Sequence, residues 1–143
     1  MTFCAKEFCE LTARELYDIL AAREEVFKIE KGMDCRDLDG EDKRAVHCIL
    51  ASSDGSLTGY IRALRIDGAT VKIGRVLTLT HGKGHGRELF TLTEKHFRGL
   101  GYKAILVHAQ HDAVGFYEKM GFTLQSDEFI EAGVRHYAMT KSI

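Results

Sequence analysis

Proline is absent from this chain of 143 residues, and that absence points to no function by itself. No apolar run is long enough to span a bilayer, which takes about 20 consecutive apolar residues. The opening stretch, MTFCAKEFCE, has none of the charge and apolar pattern of a signal peptide. The expectation is therefore a cytoplasmic protein. Charge of one sign is also missing: the formal net charge is −1. So near a balance gives no long-range pull toward nucleic acid or an anionic membrane, and neither is expected as a partner. Cysteine is sparse, and Cys4, Cys9, Cys35 and Cys48 lack CxxC spacing. In a reducing compartment they read as free, partly buried thiols, with a metal or redox pair at Cys4 and Cys9 as the weaker alternative.

What is present is ordinary: 45% hydrophobic and 29% charged residues. That composition describes one globular domain over residues 1–143, long enough to bury a core. Thr2 to Lys6 reads as a short strand. Thr12 and Glu15 then form the capping box T-x-x-E, with Leu11 and Leu16 at the positions of a hydrophobic staple. Leu16, Ile19, Leu20, Arg23 and Phe27 follow helical spacing, so a helix is predicted from Ala13 to Phe27. Lys28 to Arg44 is charged, aperiodic and broken by two glycines, which reads as a long loop or a bent short helix.

Three strands are predicted next, at Ala45–Ala51, Leu57–Leu64 and Val71–Leu79, the last two joined by Asp67-Gly68, a dipeptide favoured in tight hairpins. Leu89, Phe90, Thr93, Phe97 and Leu100 keep helical spacing until Gly99 and Gly101. KAILVHA is a buried-type strand, and Asp112 is placed to cap a short helix, AVGFYEKM, ended by Gly121. FTLQ and RHYAMTK are late strands. The order predicts a mixed α/β domain of the α+β kind, built around a single, mostly antiparallel sheet flanked by helices.

The stretch LTLTHGKGHGRELF, Leu77 to Phe90, carries the chemistry. His81 and His85 stand four apart, a spacing that suits zinc on a helix. Glycines at 82, 84 and 86 argue against a helix there, and no third ligand is near in sequence. A phosphate site fits better. A strand ends, glycines allow close backbone approach, and the free N–H groups of a new helix point at an anion. The spacing is neither that of a P-loop nor that of a dinucleotide fold. A plain tight turn is the third reading.

The run GRVLTLTHGKGHGREL, followed further on by FYEKMGF, resembles the GNAT superfamily of acyl-CoA-dependent N-acetyltransferases, whose loop pattern is Gln/Arg-x-x-Gly-x-Gly/Ala. REEVFKIEKG, DLDGED, His47 and the ending EFIEAGVRHYAMTK are similar to its ElaA-like branch. The resemblance implies a twisted GNAT sheet, acetyl-CoA as co-substrate, no metal, and direct acetyl transfer to a primary amine of a small molecule or peptide. It implies that Val76, Leu77 and Thr78 hold the pantetheine and thioester through backbone, an oxyanion-type role. It implies that neighbouring strands splay apart there, often through a bulge. His81, Gly82, Lys83, Gly84, His85, Gly86 and Arg87 would cradle the pyrophosphate, with Gln110 and Phe116 beside the cofactor.

Tyr117 matches the family tyrosine that protonates the departing thiolate. His136 matches the His of the H-x-x-M ending and is the first candidate for the base that deprotonates the amine, with His47, His108 and Glu30 as runners-up. Substrate contacts are expected from Arg23, Glu30, Asp39, Asp42 and His47. Such domains often dimerise, which leaves a homodimer open. Three departures stand out. His81 replaces Gln or Arg, the segment between Arg75 and His81 is short, and Gln110 replaces a frequent Asn. They support the alternative of an acyl-CoA-binding sensor or interaction protein with weak turnover.

Overall fold

The computed structural model describes residues 1–143. Thr12 caps the first helix as the sequence predicts: Glu15 N donates to Thr12 Oγ1 at 3.0 Å and Thr12 N donates to Glu15 Oε1 at 2.8 Å. Helix α1 spans Ala13–Arg23 and continues as a wider, π-type turn over Glu24–Glu30. The strands are β1 (Thr2–Glu7), β2 (Val46–Ala51), β3 (Leu57–Arg65), β4 (Thr70–Thr78), β5 (Ala104–Gln110), β6 (Thr123–Leu124), β7 (Phe129–Glu131) and β8 (Val134–Ser142). Helix α2 covers His85–Gly99 and α3 covers Val114–Lys119.

The strands form one mixed sheet of eight, ordered β1-β2-β3-β4-β5-β8-β6, with β7 also on β8. Every pairing is antiparallel except β4 with β5. Helix α2 connects those two parallel strands, as such a crossover requires. Both faces of the sheet are covered. On one side Leu89, Phe90 and Phe97 of α2 pack on Cys48, Ile61, Val71, Ile105 and Val107. On the other, Ile19 and Ala22 of α1 and Val26 of the wide turn pack on Ile49, Tyr60 and Leu77. Two-sided cover explains why β2 reads as a continuous buried run rather than an alternating one. No helix is long and apolar enough to cross a membrane.

Three local readings need correction. Gly68 lacks positive φ, so β3 and β4 are not joined by a two-residue Asp-Gly turn. Instead Asp67 Oδ1 accepts from Ala69 N at 2.7 Å and Thr70 N at 2.8 Å, an Asx-type turn. Asp112 does not cap α3: it lies in a short 3-10 turn, His111–Ala113, and the residue before α3 is Ala113, with no side-chain cap. Strand β7 adds a hairpin that the sequence did not predict, turning through Ala132 and Gly133.

The charged segment after α1 is pinned by a closed ring of ion pairs. Arg23 Nε meets Asp37 Oδ2 at 2.8 Å, and Arg75 Nε meets Asp37 Oδ1 at 2.9 Å. Arg75 Nη2 and Arg62 Nη2 meet Asp39 Oδ2 at 3.3 and 2.7 Å. Arg62 Nη1 and Arg23 Nη1 meet Asp42 Oδ1 at 3.2 and 2.6 Å. Each aspartate thus bridges two arginines, one from each of two elements among α1, β3 and β4. Lys28 closes the segment from within, donating from Nζ to the carbonyls of Met33, at 2.5 Å, and Cys35.

Removing one member leaves a buried charge without its partner, so Asp42→Ala is expected to lower stability by about 3–5 kcal/mol in urea unfolding. Burial opposes ionisation of Asp39 and Asp42, but the Arg62 and Arg23 hydrogen bonds and charges hold both carboxyls below the usual range. Depressed carboxylates stabilise the fold above their unfolded value, about 3.9, and lose that contribution as pH falls below it. Thermal melts are therefore expected to hold near neutrality and drop below about pH 4, with a shallower drop in Asp42→Ala.

Candidate active site

Strands β4 and β5 pair only from Thr70–Ile73 against Ala104–Val107 and then part. The parting coincides with a bulge. Tyr60 pairs with Leu77 and Arg62 with Gly74, so Ile61 faces two residues, Arg75 and Val76. Arg75 takes φ of +51°, an uncommon value for a side chain of its size. A cleft of about 810 Å³ opens beyond the split, walled by Gly74, Arg75 and Val76 on one side and His108 and Gln110 on the other. Asp37 and Asp39 of the ion-pair ring form part of its wall, already neutralised by their arginines.

The glycine-rich turn lies at the end of β4. Gly82 and Gly84 have φ of +75° and +73°, and Gly84 is the residue before α2. No side chain caps that helix. Glu88 N is bonded to Gly84 O at 3.1 Å, so the N–H groups of His85, Gly86 and Arg87 precede the first intrahelical bond. These are the free donors an anion site needs. His85 Nδ1 lies 2.9 Å from Thr80 Oγ1, while His81, Lys83 and Arg87 are exposed. No group of three His, Cys, Asp or Glu residues is placed to hold a metal ion.

Of the side chains expected at the site, Asp39, Val76, His108, Gln110, Tyr117 and His136 line the cleft. Leu77 is buried in the core, and Thr78 ends β4 against Gly59. Tyr117 sits in an aromatic cluster, edge-on to Phe90 at 5.6 Å, Phe116 at 5.3 Å and Phe122 at 5.4 Å. Burial pushes its phenol up to about 12, with no charge or hydrogen bond offsetting it. Phe116 is 40% exposed and lies outside the cleft wall.

His136 is buried, and its Nδ1 lies 2.8 Å from Val134 O. A carbonyl only accepts, so Nδ1 carries the hydrogen and Nε2 has a lone pair when the ring is neutral.

The structure does not bring Arg23, Glu30 or His47 to the cleft. Arg23 is fully buried in the ion-pair ring, and Glu30 is exposed outside the wall. His47 is fully buried with both nitrogens engaged: Nδ1 at 2.7 Å from Tyr60 Oη and Nε2 at 2.8 Å from Asp42 O. Burial holds its imidazole below the ordinary value. Asp42 is likewise buried and committed to arginines, whereas Asp39 reaches the wall. Sequence reasoning missed Glu131, which lines the cleft from β7, and Lys72, Met33 and Cys35 beside it. The signal for Glu131 was weak because its hairpin turns through Ala132 at φ +52°, where Asn or Asp would have marked the turn.

Residues 19–143 match the acetyltransferase (GNAT) domain family. Over 143 residues the chain is 31% identical to a UPF0039 protein of Schizosaccharomyces pombe, covering 97% of this chain and 95% of that protein. It superposes on an acyl-CoA N-acyltransferase from Pseudomonas aeruginosa with a TM-score of 0.88 and 27% identity, covering 99% of each chain. Escherichia coli ElaA gives a TM-score of 0.85 and 28% identity, with 98% of each chain covered.

Gly84 holds its left-handed φ with open space around its Cα. Gly84→Ala is therefore expected to cost about 1–2 kcal/mol of backbone strain and no steric clash. Urea midpoints for the two proteins check this, and identical midpoints would mean that the turn relaxes freely.

Proposed function

Because the chain belongs to the acetyltransferase (GNAT) family and is ElaA-like, we propose that it moves an acetyl group from acetyl-CoA to a primary amine. The observation that carries this reading is the parting of β4 from β5 beside a helix start with no side-chain cap. Both features fit a long ligand with an anionic diphosphate. His85, Gly86 and Arg87 would hold the diphosphate through backbone N–H groups, helped by the helix dipole. The unpaired edge of β4 from Gly74 to Thr78 would hold the pantetheine arm by strand-like pairing, with Val76 facing the cleft. Bound there, the thioester supplies an activated acetyl group to the amine.

The chain's own part is orientation and proton handling. Cleft walls that fix both reactants supply much of the rate. Tyr117 Oη keeps its proton through neutral pH, since burial raises its pKa to about 12. It is thereby available to a departing sulfur as a general acid or hydrogen-bond donor. His136 Nε2 faces the cleft as a lone pair and takes a proton from the amine. Gln110, which lines the cleft and donates from its amide to Met33 Sδ at 3.8 Å, would lie beside the cofactor. The acceptor would be a small-molecule or peptide amine.

Acetyl-CoA is expected to raise the melting temperature, and CoA thiol is expected on adding amines. The absence of both a thermal shift and calorimetric binding at millimolar acetyl-CoA would end this reading. Binding without thiol release across a broad amine panel would instead favour the sensor. Tyr117→Phe is expected to lower kcat by about 100-fold while the affinity for acetyl-CoA survives. Unchanged turnover would remove Tyr117 from the proton step.

A further inference from the structure

The hairpin of β7 and β8 carries a carboxylate to the far end of the cleft. Glu131 stands at the end of β7, just before Ala132 and Gly133, which turn the chain with φ of +52° and +74°. Its Oε1 lies 3.0 Å from His108 Nδ1 on β5, and its Oε2 lies 3.8 Å from His136 Nε2 on β8. All three residues line the cleft. Phe129 packs against both rings. Its ring centroid is 5.1 Å from that of His108, edge-on, and 5.9 Å from that of His136, nearly stacked at 23°.

The hydrogens follow from the acceptors. An ionised carboxylate donates nothing, so His108 Nδ1 carries the proton it shares with Glu131. His136 Nδ1 carries one too, facing the carbonyl of Val134. Each neutral ring therefore keeps a lone pair on Nε2. Charged or titratable groups face Glu131 from three elements: Lys72 from β4, His108 from β5 and His136 from β8, the histidines carrying charge only when protonated. Burial opposes its ionisation, but the His108 hydrogen bond, the Lys72 charge and the two rings when protonated hold its carboxyl below the usual range. It is an anion at neutral pH.

We infer that Glu131 is a positioning residue that joins His108 and His136 into one proton-accepting pair for the amine. The inference rests on the acetyl-transfer reading above. The amine's N–H bond breaks and an Nε2–H bond forms on His136. The positive charge moves from the ammonium to an imidazolium beside Glu131 Oε2, where an opposite charge stabilises it. His108 keeps the carboxylate aimed by donating to Oε1. The arrangement differs from a carboxylate that orients a general-base histidine through Nδ1: Glu131 holds His108 in that way, whereas on His136 it faces the same Nε2 that receives the proton, and Val134 O holds Nδ1.

Glu131→Gln tests this, because it preserves shape and an acceptor for His108 while removing the charge. Without that charge the protonated imidazole is less stable, so the base works to lower pH. The acid limb of kcat/KM, followed by thiol release, is expected to move to lower pH, with the KM for acetyl-CoA unchanged. Glu131→Asp is expected to recover part of the shift. Superimposable profiles for wild type and Glu131→Gln would overturn the inference.

Imidazole nitrogen NMR supplies a readout that needs no turnover. In Glu131→Ala, His108 is expected to lose its Nδ1–H preference while His136, held by Val134, keeps its own. A His108 ring that stays Nδ1–H would equally overturn the inference. Wild-type protein that releases no thiol with any amine would end the acetyl-transfer reading, and the proton-accepting role with it. The tautomers would still decide whether Glu131 orients His108.

Discussion

The ring of Arg23, Asp37, Arg75, Asp39, Arg62 and Asp42 is the constraint on which the cleft depends. Its three aspartates all come from the charged segment after α1, and its arginines come from α1, β3 and β4. Arg75 sits inside the bulge, so the same contacts that tie down the segment also hold the bulge in its uncommon conformation. The bulge accompanies the parting of β4 from β5, and the parting is the cleft. Buried ion pairs are weak sources of net stability, because desolvation offsets their attraction. What they supply here is position: a segment with few apolar anchors is held at fixed depth across the sheet. Arg62 Nε is left buried with no partner, a small cost of closing the ring.

A second consequence is electrostatic. Asp37, Asp39, Arg62 and Arg75 all line the cleft, yet each is matched by a neighbour in the ring. The wall is polar without presenting one sign of charge. Glu131 is different: it meets histidines, whose charge depends on protonation. The far end of the cleft is thus the place where charge can change during a reaction, while the ring keeps the rest constant.

Much of the fold was legible in the sequence. The capping box at Thr12 and Glu15, the apolar spacing of Leu89, Phe90, Thr93 and Phe97, and the glycines before α2 are local signals, and local signals survive folding. The family pattern around the glycines and FYEKMGF extended this to the sheet. What was not legible is long-range. Arg23 and His47 look like surface or site residues when read singly, and only the pairing of distant segments shows both to be buried and fully engaged. Asp67-Gly68 suggested a tight turn, but Asp67 binds two downstream N–H groups and widens it. The hairpin carrying Glu131 escaped because Ala132 adopts positive φ at a position where Gly, Asn or Asp would have given notice.

The departures from the family pattern look less serious once the site is divided by what does the holding. At the glycine-rich turn the available donors are backbone N–H groups of His85, Gly86 and Arg87, which no side-chain substitution removes. His81 is exposed there, so exchanging it for a longer residue alters reach rather than the donors themselves. Gly82 and Gly84 matter more, since their positive φ sets the direction in which those N–H groups point. The proton-handling end has the opposite character. In the proposed reading Tyr117, His136 and Glu131 would act through particular side-chain atoms, each held in place: by an aromatic cluster, a backbone carbonyl and a two-residue turn. On that reading substitutions would cost less at the glycine-rich loop, where backbone does the holding, than at Tyr117, His136 and Glu131, where particular side-chain atoms do.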